Sequence, residues 1–185
     1  MNDLSSQRGA PGGGAAAALT GALGVSLLEM TVRINALRVK GAGKKDLERK
    51  VKWLGGARRS LLSLMAKDAE AFEKIAELYR KKEKGPAWQG ALKKGAVIPY
   101  QIAEIASGAG ELLPEEAPRT SAWLFSDLKE SALLLSAAFD SASLNVEVNL
   151  KEIRDKRIVR GMRTNLTQMR SSMDRDRKAL SRKRS

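Results

Sequence analysis

The chain contains no cysteine and no histidine. Disulfides, thiolate nucleophiles, imidazole bases and Cys/His metal sites are therefore excluded. Any acid–base chemistry must come from Asp, Glu, Lys or Tyr. No carboxylate spacing suggests a divalent cation, so the expected metal is none. Aromatic residues are scarce, at 4 %, while hydrophobic residues reach 43 %. The core must then be aliphatic, rich in Ala and Leu, which suits packed helices better than sheets. Strand-like alternation long enough for a sheet is also missing, as is any internal repeat. The apolar run over residues 15–28 is followed at once by Glu29 and Arg33. It falls short of the ~20 apolar residues of a membrane span, and no basic cluster precedes it. The reading is a cytoplasmic protein with no membrane partner.

Charge is present in excess of one sign. Among 185 residues, 34 are Lys or Arg and 21 are Asp or Glu, a net of +13. Residues 151–185 hold 13 of the basic residues and 4 of the acidic ones. One reading of this segment is a solvated, frayed helical tail. The other is attraction to a polyanion: nucleic acid, anionic lipid or a polyglutamylated ligand. No aromatic–basic alternation or recognition motif supports a nucleic-acid partner.

The length fits one domain, with residues 1–10 disordered, a helical domain over 11–169 and a basic tail over 170–185. Pro11 and the glycines Gly12, Gly13 and Gly14 open into four alanines, a helix start. A first helix is expected over residues 15–39, ended by Gly41-Ala42-Gly43. A second spans 44–84, with a possible kink at Gly55-Gly56 and a stop at Gly85-Pro86. A third covers 87–113 and is kinked at Pro99. Residues 114–118 form a loop. A fourth helix starts near Ser121 and bends in the β-branched stretch 145–149, and a last helix runs into the tail. The fold class is all-α, an elongated up-and-down bundle of about five helices.

Steps of four and three along the second helix trace Leu47, Val51, Leu54, Arg58, Leu61, Met65, Asp68, Phe72, Ile75 and Tyr79, a core-facing seam. A carboxylate between Met65 and Phe72 loses hydration, which raises its pKa and suits a general acid or base. Asp68 is the candidate. The competing reading is a buried Asp that pairs with a base or caps a neighbouring helix. A rival stripe, Leu62–Ala69–Ala76, sets Asp68 at the seam edge. In the fourth helix Asp127, Ser131, Ala138, Ala142, Asn145 and Asn149 share a small, polar face. It is either a close helix–helix contact or a cleft wall. Asp127 and Asn145 are 18 positions apart, roughly 27 Å along a straight helix. One small ligand reaches both only if the helix breaks or two chains share each site. The Gly-rich start offers backbone N–H groups to an anion, but it lacks a Walker lysine and no strand precedes it.

Five segments occur in a telling order: Pro11-Gly12-Gly13-Gly14, Asp68-Ala69-Glu70-Ala71-Phe72, Ile98-Pro99, Ser126-Asp127, and Asn145-Val146-Glu147-Val148-Asn149-Leu150. In order and spacing, over roughly residues 10–165, the series resembles the formimidoyltetrahydrofolate cyclodeaminase/methenyltetrahydrofolate cyclohydrolase family. That resemblance implies an elongated helical bundle forming an interlocked homodimer. It implies hydrolysis of the methenyl bridge of tetrahydrofolate, or cyclisation of the 5-formimidoyl form with loss of ammonia. The tetrahydrofolate derivative, possibly polyglutamylated, is substrate, and no permanently bound cofactor is expected. Asp68 falls on the acidic catalytic position. Gly12, Gly13, Gly14, Ser126, Asp127, Asn145 and Asn149 are the substrate-binding candidates. The chain departs from the pattern at Ala15, where Ser is usual, in the segment 35–45, and just before Ser126. The alternative within the family is a non-catalytic helical scaffold.

Overall fold

The computed structural model describes residues 4–5 and 10–182. The disorder expected over residues 1–10 falls mostly outside the described residues, as does the end of the tail at 183–185. Five long helices carry the fold: α1 (Gly13–Ala36), α2 (Ala42–Arg80), α3 (Pro86–Gly110), then, after the four-residue α4 (Leu113–Glu116), α5 (Phe125–Leu150) and α6 (Lys156–Arg182). No strand occurs among the described residues.

α1 is central, packed against α2, α5 and α3. By length and composition it could cross a membrane, because helix continues through Glu29 and Arg33 beyond the apolar run. Here it is a core helix. Ala18, Val25, Leu28 and Val32 are fully buried, and Glu29 is held by Arg33 (2.6 Å) and Arg58 (3.2 Å). α5 runs antiparallel to it at close range. A Cβ on Gly24 would come within 3.0 Å of the Leu135 side chain, and Ser131 Oγ donates to the Gly24 carbonyl at 2.8 Å. The middle of the polar face on α5, with Ser131, Ala138 and Ala142 buried, is thus the close helix contact.

The 39-residue α2 extends about 58 Å. It passes through Gly55-Gly56 as continuous helix. Its buried line is Leu47, Leu54, Leu61, Leu64, Ala71 and Leu78. The expected seam therefore holds to Leu61 and then shifts by three residues, to Leu64, Ala71 and Leu78. Beyond it Phe72 is 47 % and Tyr79 65 % exposed, which leaves Asp68 half-buried at the edge, though not on the rival stripe.

Two other expectations change. Residues 114–118 are not an open loop, because α4 and a 3-10 turn at Ala117–Arg119 run through them. Glu116 there is fully buried and satisfied by Lys50 (2.9 Å) and Asn35 (3.1 Å). α5 does not bend in the segment 145–149 but stays helical to Leu150. The chain past residue 169 is no separate tail. It continues α6, which buries Val159, Leu166, Met173 and Leu180. These residues recur every seven positions, a single stripe facing α3, α4 and α5, while the basic residues take the outer side.

Candidate functional site

α1 begins at one end of the bundle, where α2, α3 and α5 converge on a cleft of about 250 Å³. Gly12, Gly13, Gly14, Asp68, Asn145 and Asn149 all line it, together with Ala71, Phe72, Ile75, Gly95 and Val148. Six of the eight site residues expected from sequence are therefore brought together.

The glycines make room. A Cβ on Gly14 would overlap the Asp68 carboxylate, and one on Gly13 would lie 3.1 Å from the Asn145 amide nitrogen. At Gly14 only glycine lets the Asp68 carboxylate come this close to the helix start, whereas at Gly13 a Cβ would press on the Asn145 side chain. Asp68 accepts a hydrogen bond from the backbone N–H of Ala15, one of the first-turn donors that lack a partner within α1. Burial pushes the Asp68 carboxyl above the ordinary carboxylate value, and the Ala15 hydrogen bond opposes this only in part. The cleft lining contains no cation to pull it back down.

The two asparagines are fixed by backbone carbonyls. Asn145 donates Nδ2 to Ser141 O at 2.8 Å. Asn149 donates to Asn145 O at 3.0 Å and to Gly95 O at 3.1 Å. The Gly95 carbonyl would normally accept from residue 99, but residue 99 is proline and has no N–H. α3 stays continuous through the buried Pro99, and Asn149 supplies the missing donor. The amides are thereby oriented, and their carbonyl oxygens are the groups left to receive a ligand N–H. Gly95 and Val148 were not expected at the site. A glycine inside a helix, four residues before a proline, was the available sign for Gly95.

Ser126 and Asp127 are not in this cleft. Both lie in the first turn of α5, roughly 27 Å from Asn145 along an unbroken helix. Ser126 is exposed, with Oγ donating to Trp123 O at 3.4 Å.

The site holds a desolvated carboxylate, two anchored amides and a glycine-walled helix start. It can carry proton transfer or stabilise a positive charge. Among the described residues no cluster of His, Cys, Asp or Glu could hold a metal ion.

Several known proteins are similar to the chain over most of its length. The methenyltetrahydrofolate cyclohydrolase of Methylorubrum extorquens is 29 % identical over 165 residues, covering 84 % of this chain and 79 % of that protein. The formimidoyltransferase-cyclodeaminase of Mus musculus is 28 % identical over 164 residues; the match covers 84 % of this chain but only 30 % of the mouse protein. The crystal structure of formiminotetrahydrofolate cyclodeaminase from Thermotoga maritima superposes with a TM-score of 0.88 at 29 % identity, covering 97 % of this chain and 90 % of that one. The family model described as formiminotransferase-cyclodeaminase matches residues 1–168, and the chain belongs to that family.

Proposed function

We propose that the chain is a folate one-carbon enzyme, with Asp68 as its acid–base group. The observation that carries this reading is the Asp68 carboxyl: half-buried, raised in pKa, without a cation beside it, and facing a cleft that glycines keep open. The methenyl bridge of tetrahydrofolate is an amidinium cation, and an ionised Asp68 stabilises it electrostatically. In hydrolysis Asp68 takes a proton from the water that adds to the bridge carbon; one C–N bond of the resulting carbinolamine then breaks, Asp68 returns that proton to the departing ring nitrogen, and the hydroxyl proton leaves to solvent as the formyl group forms. In cyclisation of the 5-formimidoyl form, N10 attacks the formimidoyl carbon. The N10 proton passes to the formimidoyl nitrogen, protonated Asp68 adds a second proton there, and the C–N bond to that nitrogen breaks to release ammonia and leave the amidinium bridge. The carbonyl oxygens of Asn145 and Asn149 accept from pterin N–H groups, and Gly12, Gly13 and Gly14 let the ligand approach the backbone.

The experiment is direct. The protein is incubated with methenyltetrahydrofolate and its absorbance followed, with spontaneous hydrolysis subtracted; ammonia release from the 5-formimidoyl form is measured in parallel. Turnover in either assay, lost in Asp68→Asn, is expected. Absence of both activities would leave the scaffold reading, which the capping of α1 by Asp68 favours.

The same reading includes a cytoplasmic homodimer. α1 is mostly apolar around its circumference, yet Leu23 and Met30 are 53 % and 37 % exposed. A helix so apolar is ordinarily covered on every side, and a second copy is the cover.

A further inference from the structure

The solvent face of α2 carries a row of cations. Lys45, Arg49, Lys52, Arg59 and Lys67 are all exposed. At about 100° per residue they fall within roughly 40° of one line along the helix, over about 33 Å. No alternation of basic and aromatic residues marks them in the sequence, because the helix collects them by its own period. Elsewhere in the bundle Lys74 and Lys81 share Glu77 at 2.8 and 2.6 Å, and Arg163 holds Glu147 at 2.7 Å. On this line Arg49 has a carboxylate, Asp46 at 3.2 Å. Lys45, Lys52, Arg59 and Lys67 have no ion-pair partner among the described residues.

The row borders a groove between α2 and α3. Its central part measures about 620 Å³ and is lined by Arg49, Lys52 and Arg59 with Trp53, Gly56 and Ile105, and by no acidic residue. Through Arg49 and Lys52 it joins a groove toward Lys45, and through Ser60 and Ile105 one toward Lys67. Glu48 and Glu104 stand in these outer parts. Between Lys52 and Arg59 the row has a gap of about 10 Å, and Trp53 stands beside it. Its ring rests on α3, where a Cβ on Gly108 would lie 3.4 Å away, yet Trp53 is 46 % exposed. An indole left half in water forfeits part of its burial and offers a flat face for stacking.

We propose that this groove binds single-stranded nucleic acid, with the row of cations on successive phosphates and a base stacked on Trp53. A cationic track with an aromatic platform is the arrangement that such strands need, and it requires no particular base sequence. Other occupants fit less well. A second copy would bring like charges together, and charged residues are depleted at the core of protein interfaces. A bilayer surface is flat, whereas the cations and Trp53 line a groove. The groove shares no residue with the cleft around Asp68, so this inference stands apart from the folate reading.

The test is fluorescence anisotropy with labelled oligouridylate and oligothymidylate of roughly 12 nucleotides, inside the single-strand site range, and with an RNA duplex of equal length. One or both single strands should bind more tightly than the duplex, and which of them binds identifies the strand. Affinity should fall with salt at a log–log slope of about −3, from four unpaired cations at about 0.7 each. K52A/R59A should weaken binding roughly tenfold or more and halve the slope. W53L should weaken it roughly tenfold or more with the slope unchanged, and W53F should keep most of the affinity. The K52A/R59A pair lies on the surface and should leave the unfolding midpoint in place. Absence of single-strand binding, or tighter binding of the duplex, would overturn the proposal. So would a folded W53L that binds as wild type does, which would make the row a site for polyanions of any kind. Loss of binding in K129A/R177A with K52A/R59A unaffected would place the strand on α5 and α6 instead. Capture of phosphatidylserine vesicles without capture of either strand would make the face a membrane contact.

Discussion

Asn149 donates its side-chain amide to the carbonyl of Gly95 across 3.1 Å, in place of the helical N–H that Pro99 lacks. One proline in α3 thereby fixes an amide of α5 at the wall of the cleft. Asn149→Ala leaves the Gly95 carbonyl without that donor and should cost about 1–3 kcal/mol. Pro99→Ala restores the helical donor. In the double variant the loss from Asn149→Ala should be smaller, a coupling visible in a urea-denaturation cycle over the four proteins. Additive effects would show that the two residues are independent.

Asp68 separates chemistry from support. Asn at this position keeps an oxygen that accepts from the Ala15 N–H, so Asp68→Asn should keep or raise the unfolding midpoint at neutral pH while turnover falls roughly 10²–10⁴-fold, the usual worth of a general acid or base. Asp68→Ala should lower both. Since the folded carboxyl titrates above its ordinary value, its stabilising contribution is fully present below pH 3.8 and is lost as pH rises through the raised value. The stability of wild type relative to Asp68→Asn should therefore decline over that rise. A lowered midpoint with unchanged turnover would make Asp68 a cap alone.

Glycine at two positions should respond in opposite ways. Gly14→Ala drives a methyl group into the Asp68 carboxylate, so turnover and stability should both fall. A Cβ on Gly56 meets nothing within 4 Å, and Gly56→Ala should stabilise α2 by about 0.5–1 kcal/mol. Thermal unfolding and the folate assay on both variants check the pair.

Glu29 should govern part of the acid stability. Burial raises its pKa, but hydrogen bonds and charge attraction from Arg33 and Arg58 together outweigh burial and leave it below the ordinary value. Its contribution is present above pH 4.5 and is lost as pH falls through the lowered value. Glu29→Gln should cost about 1–3 kcal/mol at neutral pH, with the difference from wild type shrinking in acid.

Removal of residues 170–185 tests the end of α6. The segment removes Met173 and Leu180, 6 % and 2 % exposed, each worth about 1.5–3 kcal/mol when buried. The truncated chain should unfold at a clearly lower denaturant concentration. A solvated tail would leave the midpoint in place.

The sequence alone determined the chemistry that was open to this protein. With no Cys or His, the acid–base group had to be an oxygen or a lysine, and an aliphatic composition dictated helices. Asp68 was legible from desolvation beside an apolar seam, whereas the glycine triplet and the two asparagines took a binding role only through the resemblance to the family. The seven-residue recurrence in α6 was equally legible but was masked by the basic residues between its members. Tertiary structure decided what depends on which helices meet. It set Asp68 at the seam edge, because packing on α1 rotates the buried line of α2. It drew Gly95 into the site, because the carbonyl freed by Pro99 faces α5. It separated Ser126 and Asp127 from Asn145, because α5 is unbroken. Helical periodicity fixes which side of a helix a residue occupies, whereas only the packing of several helices fixes what lies opposite it.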